Sequence, residues 1–263
     1  MPNLHASGQN RLLAALPMAE CQRLSPHLEP VGLSFGDVLC RSGDELRYAY
    51  FPTSALVSVL YVTEAGASSE IAAVGNEGML GVALFTGGDS MPHLATVQCP
   101  GHGYRLAAQL LKDEFNRSGA LQHLLLHYTQ ALITQMSQIA VCNRHHTVEQ
   151  QLCRWLLSRL DQSPSNEINV TQELIAGALG VRREGVTVAA GKLYDAGLIN
   201  CRRGCIAVLS RTGLEKRACE CYQTVKSEFD RLLPNLTAAQ AVETGLHAEP
   251  PAASRGGYRI GPP

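Results

Sequence analysis

The run from Thr171 to Leu209 constrains the fold most strongly, because several independent requirements of one motif are met there at fixed spacing. Thr171 is a residue type that caps helix N-termini. Ala176 is small enough for two helices to cross closely, and Gly180 tolerates the positive φ of a tight turn. A second helix is predicted over 182–196. Apolar residues that would join the two helices lie at the required offsets: Ile175, Leu179, Val181, Val186 and Ala189. This segment therefore predicts a helix-turn-helix.

A short hairpin is predicted directly after the second helix. Segment 200–209 contains two β-rich runs separated by a tight turn at Arg203-Gly204. From Arg182 to Arg217 there are eight basic residues against three acidic ones, although the whole chain has a net charge of −1. Such a local excess of positive charge is typical of a surface that contacts DNA phosphates. The hairpin is therefore predicted to be the wing of a winged helix-turn-helix. A plain helical hairpin and a merely solvated basic face are the alternatives.

In a winged helix-turn-helix the first residues of the second helix point into the major groove of DNA. Arg183 can donate two hydrogen bonds to guanine, and Glu184 can accept one from cytosine N4. Thr187, one turn further along, can contact a thymine methyl group or a phosphate. Contacts to the DNA backbone position a protein without reading sequence. They are predicted for Thr171, Gln172, Arg182, Arg202 and Arg203.

The first half of the chain predicts β structure. From about residue 29 to 106, short runs rich in β-branched and aromatic residues alternate with turn signals such as Gly43-Asp44 and Gly87-Gly88-Asp89. That rhythm is typical of an antiparallel sandwich or jelly roll.

A long helix is predicted next, because almost no Gly or Pro occurs between Gly119 and Leu160. One stripe along it has alternating steps of four and three residues, the spacing of a coiled-coil seam. The stripe is predicted to be a dimer seam, and its residues are Leu121, Leu125, Tyr128, Leu132, Gln135 and Ile139. The same spacing also fits one buried face of a helix packed on its own domain, and periodicity does not choose between the two.

The predicted class is α+β: an N-terminal antiparallel β-roll (a jelly roll), a long dimerisation helix and a C-terminal winged helix-turn-helix. The predicted bounds are a helical segment over 1–24, the β-roll over 25–106, connecting and dimerisation helices over 107–142, the winged domain over 143–235 and a disordered tail over 236–263.

The sequence favours a cytoplasmic location and no membrane partner. No apolar run reaches the roughly 18 residues of a membrane span, and the N-terminus lacks the long apolar stretch of a secretory signal. The nine cysteines are scattered and odd in number, which is typical of reduced thiols rather than a disulfide framework.

The order of these parts resembles the Crp/Fnr family of bacterial transcription regulators, from about Ser25 to Leu214. The most specific match is Leu179-Gly180, followed by Arg183-Glu184 and Val186. The resemblance implies a homodimer on double-stranded DNA with a two-fold symmetric site, and contact with RNA polymerase. It also matches Arg183 and Glu184 to the family's base-reading pair, whereas Val188 stands where the cyclic-AMP receptor branch has an arginine.

The sensor region departs from the cyclic-nucleotide binders of that family. Their phosphate cassette aligns with Gly81, Val82, His93, Ala95 and Thr96, so the glutamate and arginine that hold the nucleotide are absent. Cyclic AMP is therefore not expected, because a buried phosphate would lack its cation. The effector is unknown.

No cofactor and no metal site are predicted. Only Cys21 and Cys40 lie near the N-terminus, too few for an iron–sulfur cluster. Cys201 with Cys205, and Cys219 with Cys221, are pairs without the further ligands that zinc needs. The pair His145-His146 is predicted to be a hinge or a helix cap. Haem remains an alternative cofactor, because a single histidine can serve as its axial ligand.

The chain is not predicted to be an enzyme, because it has no nucleophile elbow, zinc-protease motif or phosphate loop. It is predicted to be a sequence-specific DNA-binding regulator controlled by a signal at the β-roll. The alternative is an architectural or scaffold DNA-binding dimer that senses nothing.

Overall fold

A computed structural model describes residues 10–162 and 165–233. Two short helices come first, α1 (Arg11–Ala14) and α2 (Met18–Leu24), followed by one 3₁₀ turn (Ser25–His27). The predicted tail over 236–263 lies outside the described residues, as do residues 1–9.

Seven strands form the β-roll that follows. They are β1 (Glu29–Leu33), β2 (Val38–Cys40), β3 (Tyr48–Pro52), β4 (Leu56–Val62), β5 (Ser68–Val74), β6 (Leu94–Cys99) and β7 (Gly101–Ala107), with α3 (Ala83–Thr86) between β5 and β6. They pair in two antiparallel sheets, in the orders β1-β7-β3 and β2-β6-β4-β5. Phe51 of the first sheet and Val97 of the second lie in one shared core, which is why alternate residues are apolar.

Helix α4 (Ala108–Phe115) leads into α5 (Ala120–His145), a helix of 26 residues. The side chain of Glu20 caps α5, because its two carboxylate oxygens accept from the backbone N–H groups of Ala120 and Leu121, each at 2.8 Å. A carboxylate there also stabilises the positive end of the helix dipole. Among the described residues, no helix combines the length and the apolar character needed to cross a membrane.

The structure corrects the predicted dimer seam. All six residues of the stripe are buried within their own chain: Leu121, Leu125, Tyr128, Leu132, Gln135 and Ile139. The Tyr128 hydroxyl donates to the carbonyl of Met79 at 3.0 Å, and Gln135 Oε1 accepts from the backbone N–H of Ala73 at 3.1 Å. The stripe is thus one face of a helix packed on its own domain, the alternative that its spacing also allowed.

A different face of α5 meets solvent. Exposed residues on it again follow steps of four and three: Leu126, Gln130, Ile133, Ser137 and Ala140. Leu126 is 49% exposed and Ile133 is 51% exposed, values that are high for large apolar side chains. The described residues leave this face of α5 uncovered.

The C-terminal part contributes a second hydrophobic core. Its elements are α6 (Val148–Asp161), β8 (Glu167–Asn169), α7 (Gln172–Leu179), α8 (Arg183–Asp195), β9 (Ile199–Arg202), β10 (Cys205–Val208), α9 (Arg211–Arg217) and α10 (Glu220–Leu232). Helix α10 packs along α5, where the ring of Phe229 meets Tyr128 edge-on at 6.3 Å between centroids. The α+β prediction with its β-roll, long helix and winged helix-turn-helix is confirmed.

A buried ion pair joins the two parts. Arg159 on α6 contacts the carboxylate of Glu70 on β5, and their side chains are 3% and 6% exposed. Ser58 donates a hydrogen bond to the same carboxylate. Helix α7 also packs on β5, with Gly180 close to Ser69. The β-roll and the helix-turn-helix are therefore in direct contact.

We expect Glu70→Gln to lower the free energy of unfolding by about 3–5 kcal/mol, because it leaves the Arg159 charge buried without its partner. Glu29→Gln, which breaks the exposed pair with Arg105, is the control and should cost about 0–1 kcal/mol. Urea titration measures both. Equal losses would show that the Glu70 pair is not desolvated.

Candidate nucleic-acid interface

The first helix of the helix-turn-helix begins after a capping threonine and ends at a glycine, as the sequence predicts. Thr171 caps α7 by accepting the backbone N–H of Leu174 on its hydroxyl oxygen at 3.2 Å. Gly180 ends α7 in the left-handed region, with φ of 65°. Helix α8 then begins at Arg183, one residue later than predicted.

The two helices are held together by apolar side chains at the predicted offsets. Ile175, Leu179, Val186 and Ala189 are all buried, together with Trp155 and Leu156 of α6. Ala176 is also buried, at 4% exposure. This packing fixes α8 on the outside of the domain, with its opposite face in solvent.

The solvent-facing side of α8 carries the predicted DNA-contacting residues. Arg183, Glu184, Thr187 and Val188 are all exposed. Val188 is 61% exposed, so the described residues leave most of this apolar side chain uncovered. The hydroxyl of Thr187 contacts Gln172 Oε1 at 2.8 Å and the carbonyl of Arg183 at 3.1 Å. The single hydroxyl proton is therefore engaged within the protein, whereas the oxygen lone pairs and the methyl group of Thr187 stay available.

The wing is a three-stranded sheet in the order β8-β10-β9. Its tight turn places Arg202 and Arg203 at the exposed tip, and Gly204 adopts a φ of 75°, which favours glycine. The third strand, β8, was not predicted. It pairs Ile168 with Ile206, and both side chains are buried.

Ion pairs remove part of the positive charge that the sequence count suggested. Lys192 and Arg217 both contact the carboxylate of Glu149, at 3.7 and 2.9 Å. Arg211 pairs with Asp161 and with Glu215. Within the basic region 182–217, the exposed cations that make no ion pair with the described residues are Arg182, Arg183, Arg202, Arg203 and Lys216. Within this region, four of the five unpaired cations therefore lie at the start of α8 or at the wing tip, and Lys216 lies on α9.

The residues predicted to form the degenerate cassette lie in the β-roll, and none of them is an arginine or a lysine. Gly81 has a φ of 116°, and Ala95 is fully buried. Val82 precedes α3, and Thr96 pairs with Val38 across β6 and β2. Burial lowers the pKa of His93. Its imidazole is therefore neutral near pH 7 and is a poor replacement for an arginine against phosphate.

The fold brings together four cysteine and histidine residues from two distant segments of the chain. Donor atoms of Cys142, His146, Cys219 and Cys221 all lie within 4.8 Å of one another. The absence of further ligands for the Cys219 and Cys221 pair, assumed from sequence, is therefore wrong. Cys201 and Cys205 stay apart from this cluster, in the wing.

Comparisons with known proteins agree with this geometry. Residues 150–217 match the family described as the Crp-like helix-turn-helix domain. No curated protein sequence matches the chain.

Three solved structures illustrate the likeness of the fold. FixK2 from Bradyrhizobium japonicum is 13% identical, with a TM-score of 0.63 over 73% of this chain and 98% of that chain. A CRP-family transcriptional regulator from Thermus thermophilus is 18% identical, with a TM-score of 0.61 over 72% of this chain and 96% of that one. A CRP/FNR-family regulator from the same organism is 23% identical, with a TM-score of 0.55 over 72% and 98%.

The fold and the matched domain define the class of protein: they support a role in DNA-binding transcription regulation. Residues 150–217 match a Crp-like helix-turn-helix domain, and the described chain has the fold of Crp/Fnr regulators, in agreement with the resemblance seen in the sequence. The two Thermus relatives are described as transcriptional regulators, not as enzymes.

We expect Gly180→Ala to destabilise the protein by about 1 kcal/mol, because a Cβ is strained at this positive φ and would meet Ser69 Oγ at 3.3 Å. Gly191→Ala is the matched control on α8, where a Cβ meets nothing within 4 Å. It should stabilise by about 0.5–1 kcal/mol, because alanine is the better helix former. Thermal unfolding measures both, and a loss of stability in Gly191→Ala would contradict this account.

Proposed function

We propose that the protein is a sequence-specific DNA-binding transcription regulator that acts as a homodimer, with the predicted recognition segment 182–196 in the major groove. The observation that carries the proposal is the placement of free positive charge. Among the eight cations of the basic region, those without an ion pair flank the exposed face of α8 or lie at the wing tip, apart from Lys216 on α9. This is where phosphates would lie beside a helix in the major groove.

Two residues at the start of α8 would read bases. Arg183 is exposed and can donate two hydrogen bonds to guanine O6 and N7. Glu184 is beside it and can accept from cytosine N4. Thr187 would add a methyl contact to thymine, while its hydroxyl proton is donated to Gln172 Oε1. Val188 would add a second apolar contact on the same face.

The backbone contacts would come from both ends of the interface. Arg182 precedes α8, and Arg202 and Arg203 lie at the wing tip, so together they can bracket the groove. Thr171 and Gln172 at the start of α7 are placed for backbone contact, although Gln172 Oε1 already accepts from Thr187. These contacts hold the protein in register without reading sequence.

The homodimer would form through the exposed stripe of α5 rather than the stripe first predicted. Leu126 and Ile133 are one heptad apart on the face that the chain leaves uncovered. Burying two such stripes against each other removes apolar surface from water, as in a two-stranded coiled coil. Two copies would present two α8 helices, which suits a two-fold symmetric site.

A signal at the β-roll would reach the DNA-binding part through their shared contact. Glu70 and Arg159 are desolvated together, so a shift of β5 that separates them leaves two buried charges unpaired. This is the kind of element with two discrete arrangements that an effector can bias. The effector is not identified. The alternative is a scaffold dimer whose DNA affinity no effector changes.

RNA polymerase is the further partner that the family likeness suggests, and the cytoplasm is the compartment in which a bacterial regulator meets DNA. Selection of genomic fragments by the purified protein tests the whole proposal. We expect a two-fold symmetric site whose half-sites lie about one helical turn, roughly 34–36 Å, apart. If no sequence is enriched, the proposal fails.

Arg183→Ala should weaken binding to the selected site by about 1–3 kcal/mol and relax the preference at one base pair, with little change for random DNA. The matched variant Arg203→Ala in the wing should weaken both DNAs to a similar extent and reduce the salt dependence by about one unit of slope. Fluorescence anisotropy at several salt concentrations separates the two. An equal loss on both DNAs for Arg183→Ala excludes base reading.

Combined Leu126→Glu and Ile133→Glu should turn the dimer into a monomer, because four carboxylates would face one another across the interface between the two exposed α5 stripes. Val62→Glu is the control, since Val62 is similarly exposed, at 46%, but lies on β4. Sedimentation velocity gives the oligomeric state, and circular dichroism confirms the fold. A double variant that stays dimeric places the interface elsewhere.

A further inference from the structure

Four potential metal ligands converge where α5 ends and α10 begins. Cys142 lies in the last turn of α5 and His146 is its C-cap residue, whereas Cys219 caps α10 and Cys221 lies in its first turn. The three cysteines are buried, at 0%, 5% and 0% exposure. Their sulfur atoms and a ring nitrogen of His146 all lie within 4.8 Å of one another.

The spacing of these atoms fits one tetrahedral ion. With Zn–S distances of about 2.3 Å and Zn–N of about 2.0–2.1 Å, a regular tetrahedron separates two sulfurs by about 3.8 Å and a sulfur from a nitrogen by about 3.6 Å. The Sγ atoms of Cys142 and Cys219 are 3.5 Å apart. Cys221 Sγ and His146 Nδ1 are 3.6 Å apart. The four donors thus already lie close to the positions that a single ion requires.

The histidine is oriented for ligation by a carboxylate. His146 Nε2 lies 3.3 Å from Glu220 Oε1, and its other nitrogen, Nδ1, faces the sulfurs. A proton on Nε2 that is donated to Glu220 leaves the Nδ1 lone pair free for a metal. Zinc-binding histidines commonly have such a carboxylate partner, which fixes the tautomer and the ring.

A buried guanidinium completes the charge balance. Arg154 is 7% exposed, its Nε donates to Cys142 Sγ at 3.3 Å, and it forms no ion pair with a carboxylate of the described residues. Three thiolates and one Zn²⁺ carry a net charge of −1, which the arginine cancels. With three neutral thiols, the arginine charge would be buried without compensation, which is costly.

We propose that Cys142, His146, Cys219 and Cys221 form a structural zinc site. Four protein ligands and a buried position leave no open coordination site, as in structural rather than catalytic zinc centres. Binding releases the three thiol protons to solvent as the Zn–S bonds form. The site does not depend on the proposed DNA-binding role, because its ligands lie outside α7, α8 and the wing.

The site would cross-link two distant parts of the chain. Cys142 and His146 lie at the C-terminal end of α5. Cys219 and Cys221 lie at the N-terminal end of α10, which packs back along α5. Only His146 and Thr147 separate α5 from α6. A zinc ion here would therefore hold the C-terminal helix across the joint between the β-roll part and the helix-turn-helix part.

Elemental analysis of the full-length protein, purified under reducing conditions, is the first test. We expect about one zinc per chain. Cys221→Ser and His146→Ala should lose it, whereas the matched controls Cys201→Ser in the wing and His145→Ala next to the site should keep it. If the wild-type protein, supplied with excess zinc and desalted, holds no more metal than Cys221→Ser, the proposal is wrong.

Cobalt gives a readout of geometry. Co²⁺ added to the metal-free protein should produce the visible bands of a tetrahedral ion and a thiolate-to-metal charge-transfer band in the near ultraviolet. His146→Ala should change these bands, and His145→Ala should not. An octahedral spectrum without the charge-transfer band would overturn the site.

A measurement on the wild-type protein avoids any dependence on variants that fail to fold. Zinc should protect Cys142, Cys219 and Cys221 from alkylation, as read by peptide mass spectrometry, and removal of zinc by a chelator should expose them. Cys201 should react equally in both states. A Cys142–Cys219 disulfide in the freshly reduced and zinc-treated protein would identify a redox pair instead and exclude the metal site.

Glu220→Ala tests the role of the carboxylate. It should lower zinc affinity by about 10-fold while leaving the stoichiometry unchanged, as expected for a residue that positions a ligand. Glu228→Ala on the same helix, whose carboxylate pairs with Arg231, should have no effect. A competing chromophoric chelator measures both, and equal affinities would show that Glu220 does not act on His146.

Discussion

Packing of α10 against α5 is the contact on which the remaining arrangement depends. It brings Phe229 onto Tyr128 and, together with the β-roll, buries the apolar stripe of the long helix within its own chain. Once that face is filled, the main apolar surface that α5 still presents is the stripe of Leu126 and Ile133. The same contact brings the start of α10 to the end of α5, where the cysteines and His146 meet. Intrachain packing, the free helix face and the candidate metal site are thus consequences of one helix pair.

The parts that sequence predicted well are those whose requirements are local. A cap at Thr171, a small residue at Ala176 and a glycine at the turn are all needed within ten residues, so their spacing specifies the helix-turn-helix directly. The β-roll was predictable for a similar reason, since its turns recur at short intervals. In both cases the chain meets the constraint within one or two elements.

The parts that sequence missed depend on contacts between distant segments. Periodicity shows that one face of α5 is apolar, but not that the β-roll before it and α10, some hundred residues after it, together cover that face. Cys142 and Cys219 are separated by 77 residues, so no motif spacing connects them. The count of basic residues also overstated the free charge, because Glu149 on α6 holds two of them.

The short connection between α5 and α6 has a further consequence for how the two parts can move. It contains only His146 and Thr147, and each residue contributes two soft backbone dihedrals, so at most four angles are available for rotation. Hydrogen bonds also hold the residues on both sides of this connection in place. The Gln151 amide donates to the carbonyls of Cys142 and His146, and Thr147 forms a capping box with Gln150. This connection is therefore stiff. A large reorientation of the helix-turn-helix relative to the β-roll requires the last turn of α5 or the first turn of α6 to unwind. Orientations between the two extremes are poorly accessible.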